Sequence, residues 1–346
     1  MSDPVRWGII GAGFIASVFA RDLELSPAGE VVAVASRRQT AGREFADTHG
    51  IPNAYDSYAA LLEDASVEAV YIAVPHTEHF QAARDAIRAG KAVLVEKPFT
   101  VTLAEARALI YEARQSGVFL MEAHWSRFLP HMRALDEIIA DGEVGDVRTI
   151  TADHGLRFDP QHPEHRLFRA ELGGGALLDL GVYAIGFAAA LLGDELDIRA
   201  LGTLTPSGVD AETSAIIRDE HGRHAVITTS LSSELANRAC VAGTAGRIEI
   251  GYDFMAPNDL TVEQLGDGNP AKTERQRVVP GRIEGHGIRF EAEEVARCIR
   301  TDQIESERMP HDLTLKIMGI MDEIRRQIGV RYAADEAEED PEESDE

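Results

Sequence analysis

Cysteine is nearly absent from the sequence. Cys240 and Cys298 are the only two, and they stand far apart with no CxxC or metal-like spacing. That excludes a disulfide framework and suits a reducing compartment, so a cytoplasmic location is expected. The histidines offer no convincing zinc ligand set either, and no metal is predicted. Positive charge is scarce: 34 Lys and Arg face 59 Asp and Glu, for a net charge of −25. The summed field repels polyanions, which argues against nucleic acid or an anionic membrane as partner. Long hydrophobic runs are missing as well. The most apolar stretch, "YAIGFAAALLG", is too short to span a bilayer, and no signal peptide precedes the first apolar run.

What the chain does have is apolar residues in short, regularly spaced runs. At 346 residues and 44% apolar content it can hold two domains with a sizeable core. In the first third, "WGII", "VVAVA", "AVYIAV", "AVLV" and "VFLM" have the unbroken apolar character of strands covered on both faces. Helix-like segments lie between them. "HFQAARDAIRAG" ends at Gly90, and "TLAEARALIYEARQSG" opens with the Thr102…Glu105 spacing of a capping box. Such alternation predicts a doubly wound parallel sheet, an α/β fold. After about residue 125 the pattern changes to a helix ("RFLPHMRALDEIIADG") and then to extended segments in series, with a hairpin turn at "DEHGR". This predicts an α+β domain with a large, mostly antiparallel open sheet. The expected layout is a dinucleotide-binding domain over 1–124, a substrate-binding and oligomerisation domain over 125–332, and an acidic tail over 333–346. That tail carries nine acids in fourteen residues and no base, and it is expected to be disordered.

The first strand runs into Gly11-Ala12-Gly13-Phe14-Ile15-Ala16, a GxGxxA pattern between a strand and a helix. Gly11 permits a tight turn, Gly13 lets backbone approach a pyrophosphate, and Ala16 lets helix and strand pack closely. Gly13, Phe14 and Ile15 then bring helix N–H groups to the phosphates. The second strand ends in Ser36-Arg37-Arg38, where an NAD site usually has an acid for the ribose 2′-hydroxyl. A serine and two arginines suit a 2′-phosphate instead, so NADP is expected in preference to NAD. Ligands in such folds bind beyond the carboxyl ends of the strands. Pro75, His76 and His79 fall there, as do Glu96 and Lys97 of "VLVEKPF". Taken alone, that Glu-Lys dipeptide is equally a local salt bridge.

The GxGxxA turn, Glu96-Lys97-Pro98 and the later "GGGALLDLGVY" together resemble the Gfo/Idh/MocA oxidoreductases. "FLMEAHWSRFLP", "GGGALLDLGVYAI" and "IRRQIGV" resemble the branch of dimeric dihydrodiol dehydrogenases and NADP-dependent D-xylose 1-dehydrogenases. The resemblance covers all but the acidic tail. It implies a Rossmann domain followed by an open-faced sheet that joins subunits into a homodimer or homotetramer, and a cis Lys97–Pro98 peptide that aims Lys97 into a cleft. It maps Asp179 to a substrate-binding acid and Tyr183 to the catalytic acid/base, four residues apart and on one face if the stretch is helical. A phenol ordinarily ionises near pH 10, so this role needs a neighbouring cation, which Lys97 would supply. Gly173–Gly175 would let backbone pass close to the cofactor. Trp125 and Arg127 correspond to residues lining the nicotinamide pocket. His124 stands where an apolar residue often precedes that tryptophan. His154 and Phe254 fall near aromatic positions of the dihydrodiol enzymes, and a histidine there would favour a polyol over an arene diol. Arg157, His162, His165 and Arg166 form a polar loop that either meets substrate hydroxyls or is solvated. The implied activity is hydride transfer between NADP and a sugar or polyol, either a D-xylose-like aldose or a trans-dihydrodiol. The alternatives are a keto-sugar reductase, an inositol-type dehydrogenase and, from another class, a non-catalytic NADP-binding redox sensor.

Overall fold

A computed structural model describes residues 3–266 and 273–335. The chain divides into two compact units, Met1–Trp125 with Gly285–Met318 and Ser126–Glu284 with Gly319–Glu346. Of the acidic terminus, residues 333–335 form a helical turn in which Asp335 pairs with Arg325 at 2.9 Å. Residues 336–346, the remainder of the stretch expected to be disordered, lie outside the described residues.

The first unit is built on β1 (Val5–Ile10), α1 (Phe14–Leu23), β2 (Gly29–Ala35), α2 (Gln39–His49), β3 (Asn53–Tyr55), α3 (Tyr58–Leu62), β4 (Ala69–Ile72), α4 (His79–Arg88), β5 (Ala92–Glu96), α5 (Leu103–Ser116) and β6 (Leu120–Ala123). The strands pair in parallel in the order β3-β2-β1-β4-β5-β6. Ile9, Ile10, Val34, Val70, Ile72, Val93 and Val95 are all fully buried, as apolar runs in a sheet covered on both faces must be. The capping box opening α5 is formed, with Thr102 and Glu105 satisfying each other's backbone N–H groups. The chain leaves β1 in one direction along the sheet and returns to its other side with β4. That reversal opens a crevice at the carboxyl ends of β1 and β4, the usual ligand position in such sheets.

The second unit comprises α6 (Pro130–Ala140), β7 (Val147–Gly155), a π-helical segment (Leu177–Gly181) running into α7 (Val182–Ala189), β8 (Leu196–Leu204), β9 (Asp210–Asp219), β10 (His224–Ser230), β11 (Ala239–Gly243), β12 (Gly246–Ile250), β13 (Leu260–Leu265) and β14 (Thr273–Val279). The strands form one sheet in the order β14-β13-β12-β11-β7-β10-β9-β8, antiparallel except where β10 pairs with β7. Asp219 organises the β9–β10 hairpin, its carboxylate accepting the N–H groups of His221 and Arg223 at 3.0 and 2.8 Å. The apolar stretch around α7 extends further than "YAIGFAAALLG": Ala170–Ala189 has a mean hydropathy of 1.5 and would suffice in length to cross a membrane. It is 89% buried, with every residue of α7 inside, so its hydrophobicity is that of a core element. Two further helices follow, α8 (Arg289–Arg300) and α9 (His311–Ile328). α8 belongs to the first unit and is tied there by Asp22 of α1, which accepts the N–H groups of His286 and Arg289 at 2.8 and 2.9 Å.

Candidate active site

In the first unit the glycine turn joins β1 to α1. Gly11 has φ of +109°, and a Cβ there would overlap the carbonyl oxygen of Ala73 beyond β4. Only glycine lets the ends of β1 and β4 approach this closely. Gly13 differs: a Cβ added there meets nothing within 4 Å. It is the N-cap of α1, whose first turn holds neither a side-chain cap nor an acid. Phe14 is 83% exposed and Ile15 half-buried, while Ala16 is fully buried beneath them. An uncapped helix N-terminus with open space over a glycine suits an anionic pyrophosphate, so these residues fit a dinucleotide.

Beyond β2, Ser36 is buried and its hydroxyl accepts the N–H of Arg38 at 3.3 Å. Arg37 and Arg38 are exposed, and Arg37 pairs with Glu78 at 2.6 Å. Beyond β4, Pro75 is half-buried and His76 buried. His79 is fully buried, with Nδ1 2.8 Å from the Pro98 carbonyl and Nε2 3.0 Å from that of Val74. Burial lowers its pKa to about 4. The ring thus ties the ends of β4 and β5 together rather than standing at the surface of the crevice.

Glu96 closes β5 and is buried. The Tyr71 hydroxyl donates to its carboxylate, and the Lys97 N–H donates to Oε2 at 3.1 Å. Tyr71 in turn stacks on Phe19 of α1, ring centroids 4.0 Å apart. Lys97 is half-buried and its peptide with Pro98 is cis, as the family resemblance implies. Next to β5, Glu122 of β6 is almost fully buried, and its Oε2 accepts the Thr314 hydroxyl at 3.1 Å. Burial, helped by the nearby Glu96 charge, pushes its carboxyl up to about 7 against the smaller opposing pulls of Thr314, the Phe99 backbone and Lys97. Glu291, also inside, is raised well above the usual range, chiefly by burial and then by Glu96. His124 is buried after β6, and half-buried Trp125 starts a 3-10 turn over Trp125–Phe128.

In the second unit the π-helical segment carries Asp179, and α7 carries Tyr183 one turn later; both are buried. The segment's entrance is held from three sides. The Tyr332 hydroxyl donates to the Gly174 carbonyl, the Thr229 hydroxyl to that of Ala176 at 3.1 Å, and Asp210 accepts the Leu177 N–H at 2.9 Å. Burial raises the Asp210 carboxyl to about 6. The glycine run is also constrained from within the chain. A Cβ at Gly174 would lie 2.6 Å from the Leu167 carbonyl oxygen, and one at Gly175, where φ is +113°, would strike Asp210. The chain's own packing already requires glycine at both positions.

Asp179 accepts an ion pair from Arg166 at 2.9 Å, which gives that loop arginine a definite partner. The His154 ring lies edge-on to Tyr183, centroids 5.6 Å apart. His162 and His165 sit in the exposed loop, His162 beside Glu164 at 3.1 Å, and Arg157 is exposed. Arg127 pairs weakly with Asp136 at 3.4 Å, and its buried Nε has no hydrogen-bond partner among the described residues. Phe254 lies in the core against Phe187, and its carbonyl faces His131. Among the described residues no group of three or more His, Cys, Asp or Glu could hold a metal ion. Sequence reasoning missed Tyr71, Asp210 and Tyr332, whose partners are distant in the chain and leave no local pattern.

The family model described as an oxidoreductase family with an NAD-binding Rossmann fold matches residues 5–124, and the GFO/IDH/MocA C-terminal domain matches 132–249. The mouse (Mus musculus) trans-1,2-dihydrobenzene-1,2-diol dehydrogenase is 39% identical over 339 residues, covering 96% of this chain and 99% of that protein. Among solved structures, KijD10, a 3-ketoreductase from Actinomadura kijaniata in complex with NADP and TDP-benzene, matches with a TM-score of 0.82 at 28% identity, covering 94% of this chain and 98% of that one. An aldose-aldose oxidoreductase from Caulobacter crescentus, complexed with glycerol, matches with a TM-score of 0.82 at 25% identity over 94% of this chain and 97% of that one.

Proposed function

The chain belongs to the Gfo/Idh/MocA oxidoreductase family, and from that premise we propose that it is an NADP-dependent dehydrogenase of sugars, polyols or trans-dihydrodiols. The turn Gly11–Gly13 and the N-terminus of α1 hold the pyrophosphate, and Ser36, Arg37 and Arg38 receive the 2′-phosphate. When bound, NADP supplies the hydride acceptor or donor. In the oxidative direction Tyr183 acts as phenolate: its oxygen takes the proton of the substrate hydroxyl and becomes the phenol as hydride leaves the carbon. The Lys97 ammonium stabilises the negative charge that develops on oxygen during that transfer. Asp179, paired with Arg166, accepts hydrogen bonds from neighbouring substrate hydroxyls and so orients the sugar. Trp125 helps shape the nicotinamide pocket.

What carries this reading is the π-helical segment that presents Asp179 and Tyr183 one turn apart, pinned at its entrance by Tyr332, Thr229 and Asp210. π turns are costly and concentrate at functional sites. The same residues serve the reverse reaction, and likeness to a 3-ketoreductase supports keto-sugar reduction as the second reading. A redox sensor would need none of Lys97, Asp179 and Tyr183. The test is a panel of pentoses, hexoses, diols and keto-sugars, followed by nicotinamide absorbance with NADP and with NAD. Y183F is expected to lose about 10²- to 10⁴-fold in turnover while binding NADPH as before. Unchanged turnover in Y183F would remove Tyr183 from the mechanism.

The reading extends to assembly and place. Ile216 and Val226 stand opposite each other on adjacent strands, and Leu201 lies on the same face, which is open; the three are 52%, 40% and 83% exposed. Three exposed apolar side chains on this face, set among Asp197, Arg199 and Arg218, support a homodimer or homotetramer through β8–β10. The few cysteines suit the cytoplasm.

A further inference from the structure

Arg37 leaves the end of β2 and Glu78 lies beyond the end of β4, and in the sheet these strands stand on either side of β1. Nη2 of Arg37 is 2.6 Å from Oε1 of Glu78. The ion pair therefore links the two loops that flank the Gly11–Gly13 turn. Tyr58, at the start of α3, lies beside the same pair. Arg37 remains 64% exposed while Glu78 is 24% exposed, so the carboxylate is the more firmly seated partner.

We infer that Glu78 is a specificity-determining residue for the cofactor: by neutralising Arg37, it weakens the hold of this loop on a 2′-phosphate and narrows the gap between NADP and NAD. The inference rests on the reading above that Ser36, Arg37 and Arg38 receive that phosphate. A phosphate monoester carries between one and two negative charges near neutral pH. To reach Arg37 it must either displace the Glu78 carboxylate or share the guanidinium with it. In both cases a like charge opposes the phosphate. The 2′-hydroxyl of NAD is uncharged and meets no such opposition. The sign of the effect thus follows from charge alone, and it acts on one cofactor and not the other. Because the pair is partly in water, screening keeps the effect modest.

The experiment is a fluorescence titration of the wild type, E78Q, R37A and the R37A/E78Q double variant with NADPH and with NADH, at low and at high ionic strength. E78Q is expected to tighten NADPH about three- to tenfold and NADH less than about twofold, with the gain shrinking in salt. R37A weakens NADPH, and in its background E78Q changes nothing. An NADPH-to-NADH preference that stays level or falls in E78Q overturns the inference, as does an equal gain in the absence of Arg37. Should the wild type bind neither nucleotide, the function proposed above fails with it, an outcome distinct from a silent E78Q in a protein that binds NADPH.

Discussion

Glu122 offers a sharp test of the first unit's electrostatics. Its side chain sits on β6, 1% exposed, with the Thr314 hydroxyl 3.1 Å from Oε2 and no hydrogen-bond partner for Oε1 among the described residues. Burial raises the carboxyl from 4.5 to about 7. An acid whose folded pKa lies above its unfolded value contributes stability that is complete below the unfolded value. That stability is lost as pH rises through the folded one. Between pH 4.5 and about 7 the loss is roughly 3 kcal/mol, taking 1.36 kcal/mol for each unit of the interval. Replacing the group by glutamine keeps an acceptor for Thr314 and removes the titration. The new amide also places N–H groups where Oε1 has no partner, at a cost of about 1–3 kcal/mol. That cost is the same at every pH. The difference between wild type and E122Q therefore isolates the titration whatever the offset. Loss of the Glu122 charge also eases Glu291, on which it acts in the same direction.

Urea unfolding of both proteins at pH 5, 6.5 and 8, read by far-UV circular dichroism, measures this difference. The stability of E122Q relative to the wild type is expected to rise by about 2–3 kcal/mol from pH 5 to pH 8. Parallel profiles would mean that Glu122 does not titrate in this interval and that the burial argument is wrong.

Two further outcomes follow from the geometry. G11A forces a Cβ onto the Ala73 carbonyl at a φ of +109°; it should abolish NADPH binding in a titration and cost about 1–3 kcal/mol in urea unfolding, and intact binding would contradict the role given to the turn. I216D/V226D places two charges on the open sheet face; sedimentation is expected to show a wild type of two or four chains and a variant of one chain with an unchanged circular dichroism spectrum, whereas a wild type of one chain at micromolar concentration would refute the proposed assembly.

The first unit was legible because its signals are local. Parallel strands buried on both faces leave continuous apolar runs, as at Val93–Val95, and a capping box needs only Thr102 and Glu105 three residues apart. β3 and α3, of three and five residues, are too short to establish a period, and no run announced them. The π-helical segment was equally silent, since an apolar stretch such as Leu177–Leu180 suits α and π geometry alike. Long-range pairs left no trace. Arg37 and Glu78 are 41 residues apart, and Tyr332 reaches Gly174 across 158. Nothing near Asp22 foretells that it receives the start of α8.

The two glycine runs explain why a site is harder to read than a fold. Gly11–Gly13 and Gly173–Gly175 look alike in the sequence, since each says that a Cβ is excluded. At Gly13 the surrounding space is empty, and no atom of the described chain requires glycine there. At Gly174 and Gly175 the space is filled by the carbonyls of Arg166 and Leu167 and by Asp210, and the chain excludes the Cβ itself. Gly11 does the second job in order to permit the first, because the close approach of β1 to Ala73 is what brings Gly13 to the mouth of the crevice. A glycine therefore reports a steric constraint, and only the identity of the excluding atom separates a ligand cradle from a packing contact. The same distinction governs His79 and Glu96. Their place beyond the strand ends marks them as candidates for binding, yet their polar atoms are directed at Val74, Pro98, Tyr71 and Lys97. They hold the frame on which Lys97 is mounted, so substitutions at these positions should alter turnover through the placement of that lysine rather than through lost contact with substrate.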